Sequence, residues 1–535
     1  MKTVPDRSSG NSLDTGRERG VMYIGDYLGR RETYSPNRLA IIDAGKDPEL
    51  RLTYREWNRR VNRLANWLRH QAGVAYRDRV AILARDGIEH LDLIYACGKL
   101  GAIHTALNWR LHWRELVGLI EDTEPKALLY SDDFRDAVAQ VEGTIRDTDH
   151  AVGHYLHLEG DGIPGSRSYQ SAIDGAPDTP VTCEALEKED IACLIFTGGT
   201  TGLPKGAMIS HRQINWNVLN TVIHDVTHDD IYLCVFPLFH TGGLFAYMSS
   251  QVVFGNTSIL TRQFNPQQVL ELIEREKVTV FAAVPTMYQM MTQAPNWEQA
   301  DLSSLRFCTS GGAPLPVPLV EQYGREKGVR FKQGFGMTEY GPGLFALPAE
   351  DAIRKAGSIG RPNFFIDVRV MDGDNNELGP NEVGELVLKG PSGCSGYWNN
   401  PEASAAVIDD EGWFHTGDMA KHDEEWYFYI VDRKKDMFIS GGENVYPAEI
   451  EAVLYQHPAV HMCAVVGVPH EKWGEIGKAC VVLKPDTPAT AEELISFMQD
   501  HLARFKVPKS VEFLTELPIS GAGKILKREL RERFV

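Results

Sequence analysis

The chain has 535 residues, of which 43% are hydrophobic and 24% charged, a composition that excludes an intrinsically disordered chain. This length exceeds the roughly 250–300 residues at which a single hydrophobic core usually stops growing, so two or more domains are expected. The net charge of −18 argues against non-specific binding to nucleic acid.

The sequence predicts neither an export signal nor a membrane span. The stretch from Met1 to Gly20 is polar and mixed in charge, and no run of about 18 apolar residues occurs anywhere. The eight cysteines lie far apart, from Cys97 to Cys480, without a CxxC pair. This spacing predicts free, mostly buried thiols in a reducing compartment, and hence a cytoplasmic protein.

Strand-like and helix-like segments alternate along most of the chain. In chain order the clearest are a strand at Arg79–Leu83, a buried strand at Ile191–Phe196, a helix at Pro266–Glu276, a strand at Val278–Ala283 and a strand at Tyr427–Val431. The helix has Pro266 at its first position and its apolar residues on one face. Such alternation predicts an α/β fold with largely parallel sheets.

A charged cluster at Asp432–Asp436 is the clearest candidate for a domain boundary. About 100 residues with their own α/β alternation follow it, enough for a small domain. We therefore predict an N-terminal domain of residues 1–433 and a C-terminal domain of residues 434–535. A solvated turn inside one domain would also explain the cluster, and composition alone favours that simpler interpretation.

A glycine-rich loop follows the strand Ile191–Phe196. Four glycines, three threonines and one lysine fall within the ten residues Thr197–Gly206. Glycines let backbone N–H groups approach phosphate oxygens, while the hydroxyls and the lysine add donors and positive charge. A flexible surface turn would explain the glycines but not the other residues. The candidate phosphate-binding residues are Thr197, Gly198, Gly199, Thr200, Thr201, Gly202 and Lys205.

This loop is not the common P-loop, because Lys205 lies between Pro204 and Gly206 instead of preceding Ser or Thr. It resembles the signature of the adenylate-forming superfamily, which includes acyl-CoA synthetases, adenylation domains of peptide synthetases and luciferases. The family usually has Ser at the position of Gly198. Further signatures follow in the family's order from about Leu52 to Lys524. The resemblance implies a large N-terminal domain of mixed sheets with helices and a small, mobile C-terminal α/β domain.

The resemblance implies an ATP site with Mg²⁺. Phe335 takes the place of the aromatic residue, usually Tyr, that stacks on adenine, and Thr338 contacts the α-phosphate and the substrate carboxylate. Glu339, with Thr200, would bind Mg²⁺, since hard cations prefer oxygen; the simpler alternative for a Thr-Glu pair is a helix cap. Asp418 would hold the ribose hydroxyls, assisted by Arg433. The implied ATP-binding residues beyond the loop are Gly312, Ala313, Pro314, Gly334, Phe335, Gly336, Met337, Asp418 and Arg433.

The segment Phe236–Gly243 resembles the motif whose histidine, here His240, borders the acyl pocket and the thiol tunnel. Alone, His240 would more often be a core histidine. Peptide-synthetase domains usually carry Asp after the aromatic residue, so His240 argues against an amino-acid substrate. The implied acyl-pocket residues are Thr241, Gly243, Phe245, Gly311, Tyr340 and Gly341. Their apolar character favours a medium- or long-chain fatty acid, with an aromatic or small functionalised acid as alternatives.

The C-terminal part carries three further implied features. Lys435 matches the hinge between the domains, and Gly441, Gly442 and Glu443 match the loop that lines the coenzyme A tunnel. Lys524 matches the mobile catalytic lysine, although Ala522 replaces the family's usual Thr. A solvated surface lysine is the alternative interpretation of Lys524.

The resemblance therefore predicts an ATP-, Mg²⁺- and coenzyme A-dependent ligase that converts a small carboxylic acid to acyl-CoA, AMP and pyrophosphate. Its implied catalytic residues are Lys524, Thr338, Glu339 and His240. Three alternatives remain open: an enzyme that loads a carrier protein, a luciferase-like oxygenase, and a non-catalytic binding protein. The absence of an extra segment between Gly384 and Lys435 favours coenzyme A over a carrier protein. Dimers occur in the family, so the resemblance also allows a homodimer.

Overall fold

The computed structural model describes residues 22–197, 204–440, 443–485, 487–519 and 525–534, which form 25 strands and 16 α-helices. The strands are β1 (Leu39–Asp43), β2 (Leu50–Thr53), β3 (Arg79–Leu83), β4 (Ile103–Ala106), β5 (Ala127–Tyr130), β6 (His154–His157), β7 (Arg167–Ser168), β8 (Ile191–Thr197), β9 (Lys205–Ser210), β10 (Ile231–Cys234), β11 (Thr257–Leu260), β12 (Val280–Ala283), β13 (Phe307–Ser310), β14 (Phe331–Met337), β15 (Gly341–Leu347), β16 (Arg361–Pro362), β17 (Asp367–Met371), β18 (Gly384–Lys389), β19 (Phe414–His422), β20 (Phe428–Arg433), β21 (Phe438–Ser440), β22 (Glu443–Val445), β23 (Val460–His470), β24 (Gly474–Leu483) and β25 (Ser510–Phe513). The helices are α1 (Tyr27–Tyr34), α2 (Tyr54–His70), α3 (Ile88–Leu100), α4 (Trp113–Thr123), α5 (Arg135–Ile145), α6 (Tyr169–Asp174), α7 (His211–Val222), α8 (Thr241–Phe245), α9 (Met248–Phe254), α10 (Pro266–Glu276), α11 (Pro285–Thr292), α12 (Val317–Lys327), α13 (Pro401–Ala405), α14 (Pro447–Leu454), α15 (Ala491–Gln499) and α16 (Lys527–Phe534).

The elements predicted from the alternation are confirmed. Helix α10 has the predicted bounds, and the Asn265 side chain caps it by accepting a 3.0 Å hydrogen bond from the Gln268 N–H. Strand β3 also has the predicted bounds. The ends of β8, β12 and β20 differ from the prediction by one or two residues, because hydrophobic periodicity does not define where a strand ends.

Two large sheets dominate the N-terminal part. One has seven strands in the order β7-β6-β5-β3-β4-β8-β9, and the other has nine in the order β16-β15-β14-β13-β12-β10-β11-β1-β2. Every pair in the first sheet is parallel except β8 with β9. The central pairs of the second are also parallel. The loops at the carboxyl ends of these strands are where open α/β sheets bind ligands.

The prediction of largely parallel sheets is wrong for the two smaller ones. The four-stranded sheet β17–β20 is antiparallel throughout. In the last sheet only the β24–β25 pair is parallel. Only three residues separate β23 from β24. Such short connections suffice for antiparallel neighbours, whereas parallel neighbours need a longer crossover.

Three sheets lie within residues 39–433, and the fourth lies within residues 438–513. The predicted domain boundary falls in the short link between β20 and β21, and it stays a prediction. Within the part of the chain that the structure describes, no helix is long and apolar enough to cross a membrane.

All eight cysteines are free and buried, so the prediction of free, mostly buried thiols is confirmed. Burial raises the pKa of the Cys394 thiol to about 12 and that of Cys480 to about 11. These thiols are therefore fully protonated at neutral pH.

Two fully buried histidines each destabilise the folded state in acid. Burial lowers the pKa of His90 to about 4 and that of His104 to about 3. Because each folded-state pKa lies below the unfolded value, each histidine's contribution to stability is present above about pH 6.5 and is lost as the pH falls toward the folded pKa. Each histidine should therefore lower the free energy of unfolding by about 2 kcal/mol between pH 7 and pH 5, while the raised pKa values of Asp86 and Asp43 act in the opposite direction.

The His104→Leu variant provides the control, because leucine replaces the imidazole with an apolar group that does not titrate. Both ring nitrogens of His104 lack a hydrogen-bond partner among the described residues. We therefore expect the change in the free energy of unfolding from pH 7 to pH 5, measured by urea titration, to be about 2 kcal/mol less destabilising in this variant than in the wild type. An unchanged difference would contradict the assignment.

Candidate active site

The predicted phosphate loop connects β8 to β9. Thr197 ends β8 directly opposite Lys205, the first residue of β9, and its hydroxyl donates a 3.4 Å hydrogen bond to the Lys205 carbonyl. The two ends of the loop are thus held together at the edge of the seven-stranded sheet. The remaining predicted loop residues lie outside the described residues; they are Gly198, Gly199, Thr200, Thr201 and Gly202.

Glu339 and Lys205 meet at one aromatic side chain, Tyr397. The Tyr397 hydroxyl donates a 2.7 Å hydrogen bond to Glu339 Oε1, and both residues are buried. The Lys205 ammonium lies 5.2 Å from the centroid of the Tyr397 ring, within the range of a cation–π interaction. Two predicted ATP-site residues from distant parts of the sequence are therefore neighbours.

The Glu339 carboxylate fits a role as a Mg²⁺ ligand. The described residues provide no hydrogen bond to its second oxygen, Oε2. They also contain no cluster of three His, Cys, Asp or Glu residues that could hold a metal ion by themselves. Magnesium is often bound by one or two carboxylates together with substrate phosphates and water, which matches this donor set. Thr338, the preceding residue, is half-buried.

The segments predicted to bind adenine are adjacent because β13 and β14 pair in parallel. Gly312, Ala313 and Pro314 follow β13 and are exposed. Phe335 is half-buried on β14, and its ring meets the Phe345 ring at 5.7 Å in an edge-to-face arrangement. Gly334, Gly336 and Met337 belong to the same strand.

The predicted ribose-binding pair is formed between two neighbouring strands. Asp418 on β19 lies opposite Arg433 on β20, and the Arg433 Nε group is 2.8 Å from Asp418 Oδ1. Asp418 is buried, while Arg433 is exposed. The Thr416 hydroxyl accepts a 3.0 Å hydrogen bond from the Asp418 N–H and so helps to orient this strand.

His240 immediately precedes helix α8, which contains the predicted pocket residues Thr241, Gly243 and Phe245. Its ring is half-buried and lies 4.4 Å from the Phe239 ring. A Cβ atom on Gly243 would lie 2.3 Å from the Pro237 carbonyl oxygen, so no larger residue fits there. This close approach sets the path of the chain from His240 into the helix.

The predicted acyl-pocket segments converge on Asn217 of α7. Its amide donates a 2.8 Å hydrogen bond to the Phe245 carbonyl and accepts a 3.2 Å hydrogen bond from the Gly343 N–H. Gly341 has a φ of 85°, and a Cβ there would lie 2.5 Å from Asn217 Oδ1. Gly311, the remaining glycine of the predicted pocket, directly follows β13.

The Tyr340 side chain lies in the protein core, and its place in the acyl pocket stays a prediction. Its hydroxyl donates a 3.1 Å hydrogen bond to the Leu388 carbonyl, and its ring packs against Phe414 in the core of the four-stranded sheet. The tight turn between β14 and β15 sends this side chain into the core, although its neighbours belong to the pocket segments.

A cluster of charged groups includes Lys434, the residue before the predicted hinge residue Lys435. The ammonium group of Lys434 lies 2.9 Å from Glu385 Oε2, and His415 Nδ1 lies 3.1 Å from the same oxygen. Although burial opposes it, hydrogen bonds from Lys434 and His415 hold the pKa of Glu385 below its usual value. Glu443 is exposed on β22, whereas Gly441, Gly442 and Lys524 lie outside the described residues.

Comparison with known proteins identifies the family. A family model described as "AMP-binding enzyme" matches residues 29–398, well over half of the chain, and its C-terminal domain model matches residues 449–524. This chain belongs to the AMP-binding enzyme family. The predicted membership of the adenylate-forming superfamily, as an enzyme of the acyl-CoA synthetase type, is confirmed.

This AMP-binding enzyme is similar to curated proteins along nearly its whole length. It is 42% identical to a feruloyl-CoA synthase from an Amycolatopsis species, covering 96% of this chain and 99% of the relative. It is 37% identical to the long-chain-fatty-acid–CoA ligase FadD13 of Mycobacterium tuberculosis, with 96% and 98% covered. It also resembles the crystal structure of ATP-bound MatB from Rhodopseudomonas palustris, with a TM-score of 0.86, 32% identity and coverage of 96% and 99%. The predicted fold class is thereby confirmed.

Sequence analysis missed three residues that organise the site of this AMP-binding enzyme. They are Tyr397, Asn217 and Asp86, whose carboxylate accepts a 2.7 Å hydrogen bond from the Leu238 N–H beside the His240 motif. Burial raises the pKa of Asp86 to about 7. Asp86 could have been noticed, because it lies three residues after the end of the predicted strand Arg79–Leu83. Tyr397 and Asn217 carry no comparable local signal.

Proposed function

We propose that this enzyme is an ATP-dependent acid–coenzyme A ligase that activates a hydroxylated aromatic acid. The observation that carries the ligase assignment is the convergence of Lys205 and Glu339 on Tyr397. The Lys205 ammonium and the Glu339 carboxylate lie beyond the carboxyl ends of β8 and β14, which belong to different sheets. A cation and a carboxylate are the groups that a metal-bound triphosphate requires. The Asp418–Arg433 pair provides a carboxylate for the vicinal hydroxyls of the ribose.

In the first half-reaction, an oxygen of the substrate carboxylate forms a bond to the α-phosphorus of ATP, and the bond to pyrophosphate breaks. The carboxylate itself is the nucleophile, so no nucleophilic side chain is required. Lys205 and the loop before it would hold the phosphates, and Lys524 would meet the charge that develops between the carboxylate and the α-phosphate. Thr338 would orient the same two groups.

Mg²⁺, when bound, would neutralise charge on the phosphate oxygens and on the departing pyrophosphate. The protein's contribution would be one oxygen of Glu339, with the predicted help of Thr200. Phe335 and the segment Gly312–Pro314 would hold the adenine ring between them.

In the second half-reaction, the thiolate of coenzyme A attacks the acyl carbon, a C–S bond forms, and AMP leaves with the former carboxylate oxygen. We infer that the C-terminal domain turns about Lys435 between the two steps. This turn would remove Lys524 and bring Gly441, Gly442 and Glu443 to the thiol tunnel beside His240.

We favour a hydroxylated aromatic acid over the fatty acid that the sequence alone favoured, and two observations support this choice. The identity to the feruloyl-CoA synthase is 42%, against 37% to the long-chain ligase. In addition, the fully buried amide of Asn220 has no hydrogen-bond partner among the described residues, and its Cβ is 3.5 Å from the Cβ position of Gly343. A substrate hydroxyl could satisfy such an amide, whereas an alkyl chain could not.

The test is a substrate panel of ferulate, cinnamate, benzoate, octanoate and palmitate, with ATP, Mg²⁺ and coenzyme A. We expect coenzyme A-dependent AMP release with the highest kcat/KM for ferulate, at least about tenfold above either fatty acid. Cinnamate lacks the ring hydroxyl and the methoxy group of ferulate, so it should fall below ferulate.

Each contrary result contradicts a different part of the proposal. A preference for octanoate or palmitate would favour the fatty-acid alternative, which the similarity to the long-chain ligase supports. Adenylate formation without any coenzyme A-dependent release of AMP would instead favour a carrier protein or oxygen as the second substrate. Pyrophosphate release with none of the five acids would contradict the proposed acid classes.

A further inference from the structure

Tyr397 occupies the centre of the proposed nucleotide site but belongs to none of the predicted motifs. It lies in the segment Cys394–Trp398, which we call the bridging segment. The backbone of this segment binds β9 through three hydrogen bonds. The Met208 N–H donates to the Gly396 carbonyl at 2.9 Å, the Ser395 N–H to the Met208 carbonyl at 3.0 Å, and the Trp398 N–H to the Gly206 carbonyl at 2.8 Å. The bridging segment is therefore attached to the strand that carries the phosphate loop.

The same segment is attached to Glu339. The Cys394 N–H donates a 2.6 Å hydrogen bond to the Glu339 carbonyl, while the Tyr397 hydroxyl binds the Glu339 carboxylate. Both the backbone and the side chain of Glu339 are thus held from one short stretch of chain. The Tyr397 N–H in turn donates a 2.8 Å hydrogen bond to the Ser404 hydroxyl. This hydrogen bond fixes the position of the Tyr397 backbone.

We propose that Tyr397 is a positioning residue that fixes the Glu339 carboxylate for the metal ion and the Lys205 ammonium for the phosphates. This inference rests on the proposed function, in that it assigns a role within the same nucleotide site. The Tyr397 hydroxyl holds Oε1 of Glu339 in a hydrogen bond and so orients Oε2 toward the metal ion. The ring offers its negative face to Lys205 and limits where the ammonium can lie.

The hydroxyl and the ring of Tyr397 have separable effects on metal binding and nucleotide binding. A hydrogen bond to a charged group contributes more than one between neutral groups, so its loss should weaken metal binding about tenfold. A cation–π contact at a partly exposed site is weaker, and its loss should weaken nucleotide binding by about two- to fivefold. Neither effect requires a change in the fold, because the bridging segment is held by its backbone.

The experiment measures binding instead of turnover. Mn²⁺ replaces Mg²⁺, α,β-methylene-ATP replaces ATP, and electron paramagnetic resonance reports the free Mn²⁺ in a titration of the full-length protein. We expect Tyr397→Phe to weaken Mn²⁺ binding in the ternary complex about tenfold while leaving the affinity for the nucleotide within twofold. Tyr397→Leu should show the same loss for Mn²⁺ and a further two- to fivefold loss for the nucleotide.

Tyr323→Phe is the matched control. The Tyr323 hydroxyl is also buried and donates a 2.9 Å hydrogen bond, but to the Tyr288 carbonyl in the core of the nine-stranded sheet. This variant loses a comparable hydrogen bond and should bind Mn²⁺ within twofold of the wild type. Circular dichroism and thermal unfolding of each variant establish that it is folded.

A double variant isolates the contribution of the hydrogen bond between Tyr397 and Glu339. In a Glu339→Gln background the charged partner of Tyr397 is absent, so adding Tyr397→Phe should cause no further loss of Mn²⁺ affinity. Additive losses would overturn the proposal, as would Mn²⁺ affinity within twofold of wild type in Tyr397→Phe, or an equal loss in Tyr323→Phe.

The titration contains no carboxylic acid, so it separates the two proposals. Binding of Mn²⁺ and nucleotide by a wild-type protein that activates none of the tested acids would contradict the substrate assignment and leave the role of Tyr397 standing. No binding by the wild type would overturn both the ligase assignment and the positioning role.

Discussion

Replacing Lys524 by alanine is expected to lower the rate of adenylate formation by about 10²- to 10³-fold, the usual cost of removing a group that stabilises charge in a transition state. Thioester formation from separately supplied acyl-adenylate should remain close to wild type, because the lysine would act only in the first half-reaction. The two rates can be measured as acid-dependent pyrophosphate exchange and as coenzyme A-dependent release of AMP from the adenylate. An equal loss in both would contradict the role.

Lys527→Ala is the matched control for this variant. Lys527 lies three residues further along, on α16, and forms a 2.8 Å ion pair with Glu451 inside the C-terminal part. Its removal should lower the thermal stability without changing the rate constant for adenylation. A loss of adenylation as large as that of Lys524→Ala would mean that the effect comes from the fold of this region instead of from Lys524.

Lys435→Pro is expected to give the opposite result, with adenylation retained and thioester formation lowered at least about tenfold. Proline fixes φ near −65° and restricts the residue before it, so the link between β20 and β21 could not rotate freely. The Lys435 N–H makes no hydrogen bond with the described residues, so its loss should not unfold the link. The same pair of half-reaction assays measures the outcome.

The Lys435→Ala variant separates the effect of restricting rotation from the effect of removing the charge. Alanine removes the ammonium group and keeps a free φ, so both half-reactions should proceed near the wild-type rates. Normal turnover with coenzyme A in Lys435→Pro would contradict the hinge, whereas equal losses in the proline and alanine variants would indicate that the charge of Lys435 matters instead.

Residues that repeat a family motif were the most predictable part of the site. Asp418 and Arg433 were predicted from separate motifs, and pairing of β19 with β20 brings them together. Tyr397 was not predictable, because its partner Glu339 lies 58 residues away and no pattern within either segment signals the contact. The core position of the Tyr340 side chain was not predictable either, because the direction of a side chain after a tight turn depends on packing that a motif does not encode.

For the fold, alternation of strands and helices predicted the parallel pairing that dominates the two large sheets. It could not reveal the four-stranded antiparallel sheet, because β17–β20 are joined without intervening long helices and their pairing depends on distant contacts. The strand ends were also inaccurate, since β12 begins at Val280 instead of Val278.

The burial of every cysteine has a consequence for an enzyme that holds an activated acyl group. An acyl-adenylate reacts readily with thiolates, so an accessible thiol of the protein would compete with coenzyme A and acylate the enzyme itself. Cys394 is directly hydrogen-bonded through its backbone to Glu339, yet its thiol is buried and has a pKa raised by that burial to about 12. Self-acylation is thereby suppressed. The thiol of the incoming coenzyme A is then the reactive sulfur near the acyl-adenylate.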